Sequence, residues 1–239
     1  MLTKKQIASY QEDGFVIPDF KMPENDLLDI ENKHFDLIKE YPEYINYCPA
    51  ILLKDETFLK YCMNAQILKF VEQLIGNHFA LWNSSFFAKP AYNGFETPWH
   101  QDGQYWPISP LATCTVWLAI DDANEDNGCL RFIKGSHKDK KLKQHSRNNK
   151  TNLTLHQELN KEELDESRKV SLILKRGQIS LHDVYMVHGS KENKSPKSRR
   201  AMTMRFMPLT SKFNHDFVFD SNPKFKINPL SSYSSTVIL

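Results

Sequence analysis

Leu81-Trp82-Asn83-Ser84-Ser85-Phe86-Phe87-Ala88 marks the point where the texture of the chain changes. From about Ala80 onward, short runs rich in β-branched and aromatic residues alternate with turn residues. After 81–88 come the runs 113–120, 128–133, 170–174, 178–181 and 201–207. Residues of this kind fit a pleated, half-buried surface. Several short strands with punctuation between them indicate a sandwich or barrel rather than a parallel α/β sheet.

Ahead of these runs the periodicity is helical. Thr3 reads as an N-cap with Gln6 three positions later, and Ile7, Tyr10 and Gln11 precede a stop at Asp13-Gly14. Residues 15–20 read as a short strand. Helical spacing returns over 25–39 (Leu27, Leu28, Ile30, Phe35, Ile38) and over 57–75 (Phe58, Leu59, Cys62, Ile67, Leu68, Val71, Leu74), with Gly76 as a stop. Residues 137–169 interrupt the β pattern with a polar, highly charged stretch, expected to be a long insertion between strands, of the kind that serves as a lid or stays disordered. The expected organisation is one domain over 1–239: a helical part to about 78, a β core over about 80–210, and the insertion within it.

Composition excludes several classes. With 40% hydrophobic and 25% charged residues the chain is neither disordered nor fibrous, and a net charge of +2 gives no reason to expect a nucleic-acid partner. Cys48, Cys62, Cys114 and Cys129 lie far apart with no C-x-x-C pair, which points away from zinc and disulfides and toward a reducing compartment. No apolar run approaches the ~20 residues that cross a bilayer. No apolar signal core leads the chain and the last residues are not a peroxisomal address, so a cytoplasmic protein is expected.

The chemistry centres on Pro98-Trp99-His100-Gln101-Asp102-Gly103. In H-x-D on a strand, residues i and i+2 share a face, so an imidazole and a carboxylate can converge on one metal. A distant second histidine would complete a 2-His-1-carboxylate triad that leaves metal positions open. A second H-x-D, His137-Lys138-Asp139, sits at the mouth of the charged insertion, where a solvated turn is expected. Two histidines compete as third ligand in Leu181-His182-Asp183-Val184-Tyr185-Met186-Val187-His188-Gly189-Ser190. Context favours His188, with His182 the alternative. Arg199, at the start of a β-rich run, has the planar fork that clamps a carboxylate. Because Arg199 and Arg200 are adjacent, one of them can face inward while the other stays solvated.

These residues carry a resemblance over most of the chain. Leu2-Thr3 through Gly14-Phe15-Val16, Trp99-His100-Gln101-Asp102 with Tyr105-Trp106-Pro107, and Trp117-Leu118-Ala119-Ile120-Asp121-Asp122 follow in order. Asn127-Gly128-Cys129-Leu130, Lys134-Gly135-Ser136-His137 and His188-Gly189-Ser190 with Asn193 and Arg199 complete the series. The chain thereby resembles the phytanoyl-CoA dioxygenase-like family of Fe(II)/2-oxoglutarate oxygenases. The resemblance implies a mainly β fold with flanking helices, a double-stranded β-helix or jelly roll. It implies Fe(II) at His100, Asp102 and His188, with 2-oxoglutarate and O2 as co-substrates. Arg199, helped by Ser190, would hold the far carboxylate of 2-oxoglutarate, and Gln101 and Trp117 match further co-substrate-lining positions. Lys89 and Ser85, on the strand before the metal motif, are expected to line the same pocket.

Related halogenases carry a small residue in place of the metal-binding carboxylate. Asp102 therefore favours hydroxylation of a small molecule, with release of succinate and CO2. Tyr105 and Trp106 are candidates to wall the substrate side. Arg131 is a further substrate-side candidate: it and Arg205 lie in β-rich runs from which either could reach the pocket, with their faces left open. Lys138, Lys140, Lys141, Lys143, Arg147 and Lys150 would suit an anionic substrate if they formed a lid, although such a run more often means a solvated loop. A non-catalytic jelly roll that binds metal and 2-oxoglutarate is the competing reading, and a cupin-like isomerase, with no use for Arg199, is a third.

Overall fold

The computed structural model describes residues 1–213 and 237–238. Its helices are α1 (Lys4–Asp13), α2 (Glu24–Glu40), α3 (Leu59–Cys62) and α4 (Ala65–Ile75). Strands β1 (Phe15–Val16), β2 (Tyr47–Cys48), β3 (Phe79–Lys89), β4 (Thr97–Gln101) and β5 (Ile108–Ser109) come first. Next are β6 (Cys114–Ala119), β7 (Arg131–Ile133), β8 (His145–Arg147), β9 (Gln157–Leu159) and β10 (Lys169–Ser171). The last are β11 (Ile179–Asp183), β12 (Val187–Ser190), β13 (Arg199–Pro208), β14 (Lys212–Phe213) and β15 (Val237–Ile238).

Two antiparallel sheets form the walls of a jelly roll. The larger runs β1-β11-β6-β13-β3-β15, with β2 also paired to β3, and the smaller runs β10-β7-β12-β4. Strand alternation gives the larger sheet two different faces. Val116 and Leu118 of β6, Ile179 and Leu181 of β11, and Met202, Met204 and Phe206 of β13 face the helices. There they pack with Leu27, Ile30, Phe70 and Val71 of α2 and α4. Phe70 is 1% exposed, and burying such a side chain contributes about 1.5–3 kcal/mol. The intervening residues Thr115, Trp117, His182, Arg199, Thr203 and Arg205 face the smaller sheet and line a cleft.

The helical expectations hold with one exception. Thr3 and Gln6 form a reciprocal capping box, and Gly14 ends α1 at φ 88°, a left-handed conformation that favours glycine. Residues 57–75 are not one helix. Asn64 caps a new one, its side chain accepting from the backbone N–H groups of Gln66 and Ile67, so α4 starts afresh after α3. The strand expected over 15–20 shrinks to Phe15–Val16.

The charged insertion is more built than expected. It contains the β8–β9 hairpin, and Leu159 and Leu164 pack on Trp99, Val187 and Ile133, capping the outer face of the smaller sheet. Its apolar residues are few but placed where that face needs cover. Its cations stay outside: Lys138 pairs with Glu12, Lys140 with Asp183 (2.6 Å) and Lys143 with Glu163 (3.3 Å). Among the described residues, no helix is long and apolar enough to cross a membrane.

Candidate metal centre

Strand pairing brings the two distant histidines together. In the antiparallel β12–β4 ladder His188 lies directly opposite His100, and their ring centroids are 4.2 Å apart. Each ring is oriented from behind, His100 Nδ1 by the Pro98 carbonyl (2.8 Å) and His188 Nδ1 by the Met186 carbonyl (2.9 Å). A carbonyl can only accept, so Nδ1 carries the proton and Nε2 keeps its lone pair for a metal. Asp102 is not on the strand, as the i, i+2 argument required. β4 ends at Gln101, and Asp102 opens the 3-10 turn Asp102–Tyr105. The turn still aims its carboxylate at both rings, with Oδ1 3.5 Å from His100 Nε2 and 3.7 Å from His188 Nε2.

The three ligand atoms all lie within 4.8 Å of one another, and the residues are 1%, 6% and 5% exposed. Burial works against the Asp102 carboxylate, but the neighbouring His188, then His100 and His182, outweigh it. They hold the group well below the usual carboxylate range. Burial, then the neighbouring His100, pushes His188 well below the usual imidazole range. A neutral His188 imidazole beside an ionised Asp102 carboxylate is the combination a divalent metal requires. The donor set and its open side fit the facial triad of non-haem iron sites. His182 is also buried in the cleft, its Nε2 3.8 Å from the other oxygen of Asp102, but it falls outside this triad.

The arginine face is settled by pairing. Arg199 points into the cleft, while Arg200 turns outward to Asp121 (2.7 Å) and Glu31 (2.5 Å). Arg199 is 2% exposed and has no acidic partner among the described residues. Its guanidinium donates to the carbonyls of Gly128 and Phe87, both at 3.2 Å, and lies over Trp117 at 5.5 Å. Burial lowers its pKa to about 10. Ser190 and Trp117 line the same cleft. Gly128 supplies its carbonyl from a positive-φ turn (76°) in which a Cβ would come within 2.5 Å of the Lys191 carbonyl.

Other expected residues stand elsewhere. Gln101 faces away from the cleft, because it alternates with His100 along β4. Its amide binds the Lys141 and Tyr185 carbonyls and the Lys143 N–H, tying the insertion to the sheet. Arg131 alternates with Phe132 and lies over Trp99 at 4.6 Å, on the sheet's outer face. Lys89 does not line the cleft; its stem packs against Gly128 and its amine donates to the Phe95 carbonyl. Burial, then Arg199, hold that amine well below the usual lysine range. Ser85 accepts from Arg205 (2.6 Å) behind the cleft wall. Tyr105 sits edge-on to His100 at 5.9 Å with its hydroxyl on the Gln157 carbonyl, and Trp106 meets Trp82 edge-on beneath Arg205. The second H-x-D is a turn, with His137 on the Gln11 carbonyl and Asp139 exposed.

Thr97, Thr115, Thr203, Phe87 and Leu130 line the cleft without having been singled out, and Arg205 joins them. An available signal was parity. Arg205 is an even number of residues from Arg199, and Thr115 from Trp117, so each pair shares a face of its strand.

Comparison with known proteins agrees with this geometry. Residues 10–201 match the family described as Phytanoyl-CoA dioxygenase (PhyH). The human protein "Phytanoyl-CoA dioxygenase, peroxisomal" is 26% identical over 235 residues, covering 86% of this chain and 68% of its own. A Caenorhabditis briggsae "Phytanoyl-CoA dioxygenase domain-containing protein 1 homolog" is 33% identical over 162 residues, covering 65% of this chain and 56% of its own. The chain spans about half the length of the bovine and mouse peroxisomal relatives (47% and 46%). Among solved structures, the non-haem monooxygenase ThoJ superposes with a TM-score of 0.74 at 24% identity, covering 87% of this chain and 79% of its own. EvdO2 from Micromonospora carbonacea, complexed with 2-oxoglutarate, gives 0.75 at 18%, covering 94% and 96%. The family match over most of the chain, the shared fold and the buried His-Asp-His group agree: the chain belongs to the phytanoyl-CoA dioxygenase family of iron/2-oxoglutarate-dependent oxygenases.

Proposed function

We propose that this protein is an Fe(II)/2-oxoglutarate-dependent dioxygenase that hydroxylates a small organic substrate, releasing succinate and CO2. One observation carries the reading: Arg199, a buried guanidinium with no acidic partner among the described residues, shares one cleft with a buried His-Asp-His triad. A dicarboxylate that reached a metal with one end and Arg199 with the other would account for both features. His100, Asp102 and His188 would hold the iron through two Nε2 atoms and a carboxylate oxygen. Bound iron would supply the redox chemistry that couples O2 to oxidation of the substrate.

The chain's own residues do the positioning. Arg199 offers the bidentate fork, Ser190 a hydroxyl beside it, and Trp117 a flat wall under the guanidinium. The carbonyls of Pro98 and Met186 keep each histidine in the ligating tautomer. Thr97, held by Thr154 at 2.7 Å, closes the side of the cleft next to Ser190. Asp102 occupies the carboxylate position, which supports hydroxylation rather than halogenation. The four cysteines are free and buried, in keeping with a reducing compartment such as the cytoplasm. The near-neutral charge supports a small-molecule substrate over a nucleic acid.

The test is succinate formation from 2-oxoglutarate under O2 with added Fe(II), first without any substrate and then across a substrate panel. Slow uncoupled turnover that His100→Ala abolishes is expected. Tight binding of metal and 2-oxoglutarate with no succinate under any condition would instead identify a non-catalytic binding module.

A further inference from the structure

The cleft holds more unsatisfied polar atoms than a co-substrate clamp uses. In the β13–β6–β11 ladder, Arg205 lies opposite Thr115, and Thr115 lies opposite His182. Neighbouring strands are about 4.8 Å apart, so the three side chains form one row about 10 Å long across the larger sheet. All three line the cleft and are at most 4% exposed. Among the described residues, Arg205 Nε, Thr115 Oγ1 and both ring nitrogens of His182 have no hydrogen-bond partner. Leaving a buried polar group unsatisfied costs about 1–3 kcal/mol, and native structures keep few of them. Four such atoms in one row mark a surface built to receive something polar.

The row lies apart from the expected 2-oxoglutarate clamp. Arg199 opens β13 and sits by Gly128 and Trp117, whereas Arg205 lies near its far end, closer to the side where His182 Nε2 approaches Asp102. Arg205 is held for the task. Asn83 (2.9 Å) and Ser85 (2.6 Å) accept from one Nη, and the guanidinium lies over Trp106 at 5.2 Å and Phe87 at 5.9 Å. These acceptors are neutral, and no ion pair involves Arg205 among the described residues. A plain structural role would have satisfied Nε as well.

Charge sets the class of ligand. The cleft lining carries one carboxylate, Asp102, against two guanidiniums, Arg199 and Arg205, an excess of one positive charge. A divalent metal and dianionic 2-oxoglutarate cancel one another, so the excess remains when both are bound. A buried net charge is costly unless it is paired. We propose that Arg205, Thr115 and His182 form the anchoring site of the primary substrate, and that this substrate carries a single carboxylate. Arg205 Nε and the Thr115 hydroxyl donate to the carboxylate, and His182 closes the row beside the metal. The proposal rests on the oxygenase reading for its charge balance. It also moves the source of anion recognition from the basic insertion, where Lys138, Lys140 and Lys143 already pair with acids, to the cleft wall.

The experiment uses protein loaded with Ni(II) and 2-oxoglutarate, which does not turn over, and isothermal titration calorimetry with hexanoate against its neutral isostere hexanamide. Loading is measured first. Failure to bind Ni(II) or 2-oxoglutarate counts against the oxygenase reading, whereas failure of the later step counts against the anchoring site alone. Hexanoate is expected to bind at least about tenfold more tightly than hexanamide, the effect of one buried charge-assisted contact. Arg205→Met and the isosteric Thr115→Val should erase that preference while 2-oxoglutarate affinity stays within about threefold. Arg205→Lys should restore part of it. Should Arg205→Met fail to fold, Thr115→Val and His182→Phe carry the test. Equal affinity for the two probes, or binding of neither, overturns the site. Loss of 2-oxoglutarate binding in Arg205→Met reassigns the arginine to the co-substrate and also overturns it. Preference for hexyl phosphate over hexanoate overturns the carboxylate assignment.

Discussion

Arg199→Met should separate stability from co-substrate binding, moving them in opposite directions. In the wild-type protein the guanidinium is buried with no acid paired to it among the described residues, and burial lowers its pKa to about 10. That depression corresponds to a cost of roughly 3 kcal/mol for keeping the charge there, at about 1.4 kcal/mol per unit. Its two hydrogen bonds, to Gly128 and Phe87, return about 1 kcal/mol each. A methionine fills similar volume with neither the cost nor the gain. The ligand-free variant should therefore be about 1 kcal/mol more stable, a rise in Tm of about 2–4 °C for a chain of this size. Binding runs the other way. Truncating one partner of a buried charge pair costs about 2–5 kcal/mol, so 2-oxoglutarate affinity should fall by roughly 30-fold or more. Calorimetric titration of 2-oxoglutarate into Ni(II)-loaded protein reads the second effect and thermal unfolding of the metal-free protein reads the first. A change in 2-oxoglutarate Kd below fivefold would refute the clamp. A Tm lowered by more than a few degrees would refute the desolvation argument.

Three further outcomes follow from the geometry. His188→Ala should abolish stoichiometric Ni(II) binding, whereas His182→Phe should keep it to within about tenfold, because only His188 belongs to the triad; equal losses would be the contrary result. Gly128→Ala combines a left-handed φ with a Cβ 2.5 Å from a backbone carbonyl, and should cost about 2–4 kcal/mol in urea unfolding while weakening 2-oxoglutarate binding through displacement of Arg199. His34 is 2% exposed and stacked on Phe86; burial first, then Arg200, lowers its pKa to about 4. The unfolded chain takes up that proton near pH 6.5 and the folded one does not, so stability is full above pH 6.5 and falls as the pH drops toward about 4. The loss should reach roughly 3 kcal/mol, and His34→Phe should flatten that part of the pH–stability curve.

The sequence by itself determined the elements with a local cause. The Thr3–Gln6 capping box, the stops at Gly14 and Gly76 and the switch to short strands near residue 80 were all legible, because caps, glycine conformations and periodicity act within a few residues. The metal triad was legible through its motif and a family resemblance, although the argument that Asp102 shares a strand with His100 failed: the strand ends one residue earlier, and a 3-10 turn presents the carboxylate instead. Only tertiary structure decided between His188 and His182, since the choice depends on which strand pairs with β4 across the smaller sheet. It also sent Gln101 and Arg131 outward and Arg205 inward. A strand's alternation is written in the sequence, but the face that meets the cleft is chosen by register and sheet packing, which join residues as far apart as His100 and His188. The row Arg205–Thr115–His182 belongs wholly to that second category. Its members sit on three strands from separate parts of the chain, and nothing local to any one of them announces the other two.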